Sequence, residues 1–422
     1  MRILHFVGIG LLPSDPDAEA VGGTERVALE LARVQAARGA EVCVAGPAEA
    51  PSQRQWRGVT VQRLAAAAGR LAPRKFANHL ALAALTWTRR FDVVHLHEHP
   101  HARLVRARAV VVQAHNDIIG DPGTQEFDGA ARRFWSGARR GHVQLGVSEY
   151  LAGRFVRALD SLGTSARAQA NVGVCPNGVD LENFRAQTRA GDRDLWRRRW
   201  GFASDDVVFL FAGAIQEAKG VDHLAAAFTE VAAAQPQARL VIVGSHRLWI
   251  DADPEESEAF EERVLGALQP LIDEGRVVFL GPRSHQEMPS IMAAVDAVVL
   301  PSIIPEAFGL VVVEAFALGR PAVATRMGAL CELVQDHKNG LLVDPYDRPG
   351  LAAAMGALVG DAGLRAQLSD EALRAAKNYS WEASVDRLER IYGCALAGAQ
   401  LPGLFSADGM LDALGQGLDM GS

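Results

Sequence analysis

The sequence predicts an α/β protein built from two doubly wound domains in tandem. Three observations lead to this expectation. The chain has 422 residues, which is too long for one ordinary domain. Strand-like apolar runs alternate with amphipathic helical segments along almost its whole length. Hydrophobic residues make up 49% of the chain, enough to fill two cores. This alternation is typical of parallel sheets covered by helices on both faces.

The predicted strands fall into two series separated by a polar, arginine-rich connector around residues 183 to 204. The first series is 3–7, 41–44, 92–96, 110–112 and 143–147. The second series is 207–211, 240–243, 277–280, 297–300 and 321–324. We therefore expect an N-terminal domain over 1–182 and a C-terminal domain over 183–377. Ligands bind at the carboxyl ends of such strands, so the cleft between the domains is the expected site.

Bulk charge and cysteine spacing exclude several classes of protein. Charged residues make up 22% of the chain and the pI is about 6.0, so nucleic-acid binding is not expected. No apolar run reaches the roughly 18 residues of a membrane span, and Met1 to Val7 has the pattern of a strand rather than a signal peptide. A cytoplasmic protein is therefore expected. The cysteines show no metal-ligand or redox-motif spacing, which favours structural thiols: Cys43, Cys175, Cys331 and Cys394.

Two glutamates, Glu306 and Glu314, flank a loop-to-helix junction in the second series. The apolar run from Leu310 to Leu318 stops at Gly319, which predicts a short buried helix that ends at a glycine. N–H groups at its start can donate to sugar hydroxyls, and each carboxylate can accept hydroxyl protons. The alternative is an exposed acid and a solvated glutamate. Glu314, however, has apolar flanks and needs a partner there.

Two glycine-bearing junctions predict sites for an anion. Gly22 and Gly23 precede a helix expected over 26–38, where backbone N–H groups can approach a phosphate closely. Gly213 follows the first strand of the second series, and Lys219 precedes the next helix, well placed for an anionic leaving group. The alternatives are a plain capped turn and an ordinary surface lysine.

Histidines cluster near the ends of two first-series strands. His95 and His97 share one face of a strand. A zinc site needs a convergent third ligand, for which His99 or Glu98 is the candidate; contacts to an acceptor or sugar, or plain packing, need none. His115 is the residue that we expect to hydrogen-bond a sugar hydroxyl while staying neutral.

Taken together, these residues resemble the retaining nucleotide-sugar glycosyltransferases called family 4, which have two facing Rossmann-like domains, the GT-B architecture. The resemblance covers nearly the whole chain. It rests on Gly22-Gly23-Thr24-Glu25, Asp92 to His97, His115-Asn116-Asp117, Pro176 to Asp180, Lys219-Gly220, Gly281-Pro282-Arg283, and Glu306 to Gly309 with Glu314.

The resemblance implies a role for each matched residue. Gly23 N–H and Lys219 would hold the diphosphate, Glu314 the nucleotide ribose, and Glu306 the transferred sugar, with His115 close to that sugar. The wider donor side would comprise Gly22, Gly213, Arg283 and the amides of Ala307, Phe308, Gly309 and Leu310. The acceptor side would comprise His97, Asn116 and Asp117. A helix over 378–398 would cross back to the N-terminal domain, and the tail over 399–422 has no assigned role.

The implied reaction is transfer of a hexosyl group, with retention, from a nucleotide-diphosphate sugar to an acceptor hydroxyl. A UDP- or GDP-sugar is the expected co-substrate. In a front-face mechanism the departing diphosphate oxygen takes the acceptor proton, so catalysis consists of leaving-group stabilisation and positioning. Neither a metal nor a tightly bound cofactor is required.

One position departs from the family pattern. An arginine usually joins the lysine on the diphosphate, but here that position is Ala214. Arg283 or Arg326 could approach from a neighbouring loop, or the site could use fewer cations. The alternatives are a catalytically weak or inactive sugar-nucleotide-binding protein and, within the same architecture, a sugar-nucleotide epimerase or a phosphorylase.

Basic helical segments in the first half of the chain indicate what kind of acceptor the protein could bind. Such helices can lie on an anionic membrane surface or receive phosphorylated acceptors, and solvated helix faces are the common alternative. The expected partner is a small-molecule, glycan or lipid-linked acceptor, with peripheral contact to the inner face of the membrane as one option. The basic residues are Arg70, Arg74, Lys75, Arg89, Arg90, Arg132, Arg133, Arg139 and Arg140.

Overall fold

The computed structural model describes residues 1–8, 11–16, 23–48, 50–65, 74–98, 104–116, 137, 140–161, 171–188, 191–248 and 253–401. The chain forms two compact units. Unit 1 comprises Met1–Gly178 together with the chain from Trp381 onward, and unit 2 comprises Val179–Ser380.

The described part of unit 1 contains one sheet with the strand order β3-β4-β2-β1-β5-β6-β7-β8. Its strands are β1 (Arg2–Val7), β2 (Glu41–Ala48), β3 (Ser52–Trp56), β4 (Val59–Ala65), β5 (Phe91–His97), β6 (Ala107–Ala114), β7 (Val143–Gly146) and β8 (Val172–Val174). Neighbouring strands are parallel except β3 and β4. The described helices before residue 179 are α1 (Gly23–Ala37), α2 (Arg74–Thr88) and α3 (Glu149–Ser161).

Strand β1 shows why this sheet is covered on both faces. Ile3 and Val7 pack into a core shared with α1, whereas Leu4 and Phe6 pack into a second core on the opposite face. Because successive side chains of a strand point to opposite faces, a strand that is buried on both faces is continuously apolar. The apolar run after Arg2 is interrupted only by His5, which is also fully buried.

Three of the described strands of unit 1 were not predicted. Strands β3 and β4 form an antiparallel hairpin whose turn is Arg57-Gly58, both with positive φ, and β8 is only three residues long. The hairpin was missed because β3 carries a polar sequence, Ser-Gln-Arg-Gln, on an edge strand. The helix α1 begins at Gly23, three residues earlier than the expected start at Arg26.

Unit 2 contains a fully parallel sheet with the strand order β11-β10-β9-β12-β13-β14. Its strands are β9 (Val207–Ala212), β10 (Ala238–Val243), β11 (Val277–Gly281), β12 (Ala297–Leu300), β13 (Ala322–Thr325) and β14 (Gly340–Val343). Its helices are α4 (Leu181–Ala186), α5 (Asp192–Trp200), α6 (Val221–Ala234), α7 (Pro254–Asp273), α8 (Met288–Ala294), α9 (Leu310–Ala317), α10 (Leu330–Leu333), α11 (Arg348–Gly360) and α12 (Ala362–Ala376). Strand β14 was also not predicted.

The polar connector expected around residues 183 to 204 is largely helical. It contains the end of α4 and all of α5, and Arg197 of α5 is 2% exposed. The Arg197 guanidinium lies 2.7 Å from Asp296 and donates to the Ala294 carbonyl, which makes its burial tolerable. Arginine at this position is therefore part of the packing of unit 2.

The last described helix, α13 (Trp381–Ala397), belongs to unit 1. Trp381, Val385 and Tyr392 join the core that contains α1. Gly178 permits this packing, because a Cβ there would lie 2.7 Å from the Trp381 backbone nitrogen. Among the helices of the described residues, none is both long and apolar enough to cross a membrane.

Candidate functional site

The loops that follow β9 and β12 bring Lys219 and Glu306 together in unit 2. Lys219 Nζ lies 2.6 Å from Glu306 Oε1, although the residues are 87 positions apart. Ser302 also donates its hydroxyl to Glu306 Oε1. The lysine and glutamate side chains are 22% and 15% exposed, so the pair is partly buried and still reachable by a ligand.

The two loops contact each other through backbone. Ile303 N–H donates to the Ala218 carbonyl at 3.0 Å. Gly220 has a φ of +63°, and a Cβ there would lie 2.0 Å from the Pro301 carbonyl oxygen. Only glycine satisfies both requirements without displacement of the backbone. The position of Lys219 relative to Glu306 is therefore set by main-chain contacts.

The loop after β13 fixes Glu306 from the other side. Ala329 N–H donates to the Glu306 carbonyl at 2.9 Å, and Gly328 forms a β-bridge with Glu306. Gly328 has a φ of +58°, and a Cβ there would lie 2.5 Å from the Glu306 carbonyl oxygen. The backbone of Glu306 is thus held by the loop that follows the neighbouring strand.

Helix α9 begins directly after this loop, as expected. Gly309 has a φ of +96° and precedes Leu310, the first helical residue. The helix ends at Ala317, and Gly319 has a φ of +66°. Phe308 is 5% exposed and packs near Tyr379, so its side chain serves packing. Any contribution of this segment to a ligand comes from its backbone amides near Gly309.

Glu314 lies inside α9 and is 7% exposed. Its Oε1 is 3.6 Å from His285 Nδ1, on the loop after β11. The His285 ring in turn lies 6.1 Å from the Phe184 ring. The apolar sequence around Glu314 had predicted a partner without identifying it. His285 was missed because it lies on a separate loop, far from Glu314 along the chain. Nothing in its local sequence marks it as the partner of Glu314.

Gly213 lies where β9 ends, close to the neighbouring strand. Gly213 N–H donates to the Val243 carbonyl at 3.0 Å, and a Cβ on Gly244 would lie 1.8 Å from the Gly213 carbonyl oxygen. Ala214, which stands where the family has an arginine, is 8% exposed. The loop therefore presents a small apolar side chain at this position.

The two arginines considered as replacements are both paired. Arg326 lies 2.6 Å from Asp336 and 3.5 Å from Asp344. Arg283 donates to the Leu280 carbonyl and lies 3.5 Å from Glu287. Arg326, like Lys219, already has carboxylate partners, and its approach to the diphosphate stays a prediction. Arg283 remains on the donor-side loop in a weaker i,i+4 pair.

In unit 1 the helix α1 begins at Gly23, which is exposed and has open space where a Cβ would be. Glu25, in the first turn, is 6% exposed, and burial raises the pKa of its carboxyl. Gly22 lies outside the described residues. The start of α1 is thus accessible at Gly23, as a backbone anion contact requires.

His115 and Asn116 follow β6 and are fastened to Glu98, which follows β5. Glu98 Oε1 accepts the His115 backbone N–H at 2.9 Å and the Asn116 amide at 3.0 Å. His115 is 8% exposed, and burial lowers the pKa of its ring to about 3. The Asn177 side chain raises this pKa, but by less than burial lowers it. His115 is therefore neutral at ordinary pH. Asp117, the third acceptor-side prediction in this segment, lies outside the described residues.

His97, which was expected on the acceptor side, is not exposed to a ligand in the structure. His97 is fully buried, and its two ring nitrogens face His5 Nδ1 at 3.0 Å and His115 Nε2 at 2.9 Å. No ring atom is left for an acceptor. His5 was missed because a single histidine in an apolar first strand carries no signal of its own; the register that sets it opposite His95 is a property of the sheet.

His5, His95 and His97 also place three ring nitrogens within 4.8 Å of one another, as a metal site would. The rings of His95 and His97, however, stack with centroids 4.5 Å apart and planes 13° apart. A zinc ion lies roughly 2.0–2.1 Å from each ligating nitrogen. The ion must also lie in the plane of each ligating ring, in the direction of the nitrogen lone pair. Two stacked rings have no such position in common. The arrangement suits a hydrogen-bonded stack better than a metal centre.

The basic residues expected to bear on the acceptor are only partly described. Arg132, Arg133 and Arg139 lie outside the described residues, as does Arg70. Arg89 and Arg90 follow α2 directly, and Arg140 is exposed.

Both halves of the chain match known protein families. Residues 192–375 match the family described as glycosyl transferases group 1, and residues 21–183 match glycosyltransferase family 4. The two matches fall on the two halves of the chain that carry the predicted motifs.

Two curated relatives show the level of similarity. The D-inositol 3-phosphate glycosyltransferase of Stackebrandtia nassauensis is 37% identical over 230 residues, which are 53% of this chain and 49% of the relative. The enzyme of the same name from Acidothermus cellulolyticus is 36% identical over 225 residues, 53% of this chain and 48% of the relative. The chain thus spans about half the length of the curated relatives it matches.

Solved structures are similar over almost the whole chain. HepE of Anabaena in complex with UDP-glucose has a TM-score of 0.71 and 22% identity, covering 93% of this chain and 99% of that one. The sucrose-phosphate synthase of Thermosynechococcus elongatus has a TM-score of 0.72 and 22% identity, covering 94% and 100%. The fold is therefore that of the GT-B glycosyltransferases, with two Rossmann-like domains, and the predicted fold class is confirmed. Within that class, the two family matches together cover most of the chain and support a glycosyltransferase of family 4.

Proposed function

We propose that the protein is a retaining glycosyltransferase that moves a hexosyl group from a nucleotide-diphosphate sugar to an acceptor hydroxyl. The observation that carries this proposal is the partly buried Lys219–Glu306 pair at the carboxyl ends of the unit 2 strands, next to the start of α9. A cation, a carboxylate and helix amides in one place suit a diphosphate joined to a sugar.

The donor would be held in three parts. Lys219, with the amide of Gly213, would bind the diphosphate in unit 2. The exposed start of α1 at Gly23 is the candidate diphosphate contact of unit 1. Glu314 would accept the ribose hydroxyls, and its contact with His285 would keep the carboxylate in place when no donor is bound. UDP is the first nucleotide to test, since HepE of Anabaena was solved with UDP-glucose; GDP is the second.

The sugar would lie against Glu306 and the amides of Ala307 to Leu310. When the diphosphate occupies Lys219, the Glu306 carboxylate exchanges part of its ion pair for sugar hydroxyls. Glu306 retains Ser302 as a hydrogen-bond donor and remains oriented by the backbone contacts at Gly328. His115, neutral because burial lowers its pKa, would accept a hydrogen bond from a sugar hydroxyl.

The reaction needs few chemical groups from the protein. The bond between the anomeric carbon and the diphosphate oxygen breaks, and the acceptor oxygen bonds to that carbon on the same face. The departing diphosphate oxygen takes the acceptor proton. Stabilisation of the leaving diphosphate is then the main catalytic term, and a single preorganised donor of this kind contributes about 2.7–4 kcal/mol.

The candidate acceptors come from the names of the relatives and from basic residues of unit 1. The curated relatives act, by name, on D-inositol 3-phosphate, so a phosphorylated cyclitol belongs in the first acceptor panel. Glycan and lipid-linked acceptors belong there too, because the exposed Arg90 and Arg140 and the partly buried Arg89 could receive a phosphate or an anionic lipid surface. Salt-sensitive co-sedimentation with anionic liposomes tests the lipid option.

Donor hydrolysis tests the proposal. The full chain is incubated with UDP-, GDP-, ADP- and TDP-linked hexoses, with and without the acceptor panel, and release of nucleoside diphosphate is measured. Release with one nucleotide class, an α-linked product from an α-linked donor and unchanged rates in EDTA support retention without a metal. An inverted product, or activity that requires a divalent ion, contradicts the corresponding part.

A second function is favoured by Ala214. With an apolar side chain where the family has an arginine, the protein could bind a sugar nucleotide and turn it over weakly or not at all. Calorimetric titration with UDP and GDP, run beside the product assay, separates the two. Binding without product formation across the acceptor panel identifies a binding protein.

A further inference from the structure

A row of four buried side chains runs through unit 1 from α1 to the end of β6. Gln35 Oε1 lies 2.8 Å from His5 Nε2, His5 Nδ1 lies 3.0 Å from His97 Nε2, and His97 Nδ1 lies 2.9 Å from His115 Nε2. Gln35, His5 and His97 have no exposed surface, and His115 is 8% exposed. We call this row the histidine chain. It meets solvent only at His115.

The sheet itself builds the histidine chain. Strands β1, β5 and β6 are neighbours, with His5 opposite His95 and Val7 opposite His97. The rings of His5 and His97 stack with centroids 5.3 Å apart, and those of His97 and His115 with centroids 5.2 Å apart. Strand geometry and ring stacking therefore hold the nitrogens in line.

Every ring of the histidine chain is neutral. Burial lowers the pKa of His5 to about 4 and of His115 to about 3, and the pKa of His97 lies well below its ordinary value for the same reason. A neutral imidazole has one N–H donor and one nitrogen lone pair. In a row of such rings, the proton position on one ring dictates the proton position on the next.

Gln35 sets the direction of the row. Its carbonyl Oε1 can only accept, so His5 must carry its proton on Nε2 and accept through Nδ1. His97 then donates from Nε2 and accepts through Nδ1, and His115 donates from Nε2. Nδ1 of His115 is left as a buried lone pair that makes no hydrogen bond of normal geometry among the described residues, although the Asn177 side chain also interacts with this ring.

We propose that Gln35, acting through His5 and His97, is a positioning residue that fixes His115 as the Nε2–H tautomer and presents its Nδ1 lone pair to a ligand hydroxyl. The tautomer itself follows from the histidine chain alone. Its use on a sugar hydroxyl rests on the proposed function.

Glu98 holds the other end of the same residue. It has a φ of +57°, a strained value for a glutamate, and its carboxylate accepts the His115 backbone N–H. The ring and the backbone of His115 are therefore fixed by separate contacts. A residue that presents one lone pair in a fixed direction needs both to be held in place.

The tautomers can be read without any substrate. The full chain is labelled with ¹⁵N-histidine, and two-bond ¹H–¹⁵N correlations distinguish the protonated from the unprotonated ring nitrogen. Single variants His5→Gln, His97→Asn and His115→Asn assign the signals. The expected pattern is Nε2–H at all three histidines. Nδ1–H at His115 in the wild-type protein overturns the proposal, because the row then runs in the opposite direction.

Two substitutions at Gln35 test its control of the row. Gln35→Met keeps the length and removes the acceptor, so His115 is expected to become a mixture of tautomers. Gln35→Glu keeps an acceptor oxygen and is expected to retain Nε2–H. A pure Nε2–H signal at His115 in Gln35→Met overturns the role of Gln35. Should Gln35→Met fail to fold, the wild-type and Gln35→Glu spectra decide, and Nδ1–H in Gln35→Glu overturns it.

Turnover separates this inference from the proposed function. Once a donor is identified, Gln35→Met should lower kcat about tenfold, the effect of losing roughly one hydrogen bond, and Gln35→Glu should lose less. A mixed tautomer with full turnover overturns the functional half of the inference. A wild-type protein that shows the expected tautomers and transfers no sugar contradicts the proposed function and leaves the tautomer assignment standing.

Discussion

Lys219 Nζ and Glu306 Oε1 lie 2.6 Å apart, joined across two loops whose backbones touch at Gly220 and Pro301. In the structure the cation therefore already has a partner, and a bound diphosphate must compete with it. The pair preorganises both side chains before a ligand binds. It also couples the part of the site proposed for the diphosphate to the part proposed for the sugar.

Replacing Lys219 should abolish most turnover. Lys219→Ala removes the side-chain cation proposed to stabilise the leaving diphosphate, so kcat should fall by about 10²–10³-fold. Circular dichroism should show an unchanged fold. Lys338→Ala, at an exposed lysine of the same unit, is the control and should retain full activity. Near-normal turnover of Lys219→Ala would remove Lys219 from the site.

An arginine at position 214 should tighten nucleotide binding. Ala214→Arg supplies the charge that the family usually has there, and a charge-assisted hydrogen bond to a phosphate contributes about 1.5–3 kcal/mol. The dissociation constant of UDP or GDP should therefore fall at least about tenfold. Ala214→Gln, which adds length without charge, is the matched control. Equal affinities of the two variants would show that this loop does not face the diphosphate.

Substitutions of Glu306 and Glu314 should have different effects on nucleotide binding. Glu314→Gln should weaken binding of the free nucleoside diphosphate about tenfold or more, because a carboxylate accepts ribose hydroxyls better than an amide does. Glu306→Gln releases Lys219 from its ion pair, so it should strengthen or preserve nucleoside diphosphate binding and lower kcat for the nucleotide sugar. Calorimetry and steady-state kinetics on both variants measure this. The reverse pattern would exchange the assigned roles.

Gly220 should tolerate no side chain. Gly220→Ala places a Cβ 2.0 Å from the Pro301 carbonyl oxygen at a φ of +63° and should destabilise the protein by about 3 kcal/mol or more. Gly201→Ala has a similar φ of +75° and open space around the Cβ, so it should cost only about 1 kcal/mol. Urea unfolding measures both. Equal losses would mean that the loop contact is not tight.

Acid should destabilise the protein through its buried histidines. The unfolded chain binds a proton at His5 below about pH 6.5, whereas the folded chain resists until its pKa of about 4. The unfolded state therefore binds more protons in this window, and stability falls as the pH drops from about 6.5 to 4. The contribution of one such histidine is about 2 kcal/mol between pH 7 and pH 5.

His5→Gln tests that dependence. The variant should lose less stability than the wild-type protein on going from pH 7 to pH 5, as measured by urea unfolding at both values. His337→Gln, at a 78% exposed histidine side chain, should behave like the wild-type protein. An unchanged pH dependence in His5→Gln would show that His5 is not neutral in the fold.

The strands with long apolar runs were predictable, and the short or polar ones were not. Burial on both faces gives a strand a continuous apolar sequence, which made β1, β5, β9 and β12 recognisable. Strand β3 is polar and β8 has only three residues, so neither shows this pattern. Helix α9 was predicted from a local pattern and ends where its glycine requires. Helix α5 was missed because its buried Arg197 resembles the solvated arginines around it until Asp296 is brought beside it.

The sequence by itself determined the fold class, the family and the residue types of the donor side, because periodicity and motifs are local properties of the chain. Tertiary structure alone decided which distant residues touch. It paired Lys219 with Glu306, gave Glu314 its partner His285, and turned His97 from an expected ligand contact into part of a buried row with His5. Strand order and register set these contacts, and no local pattern encodes them.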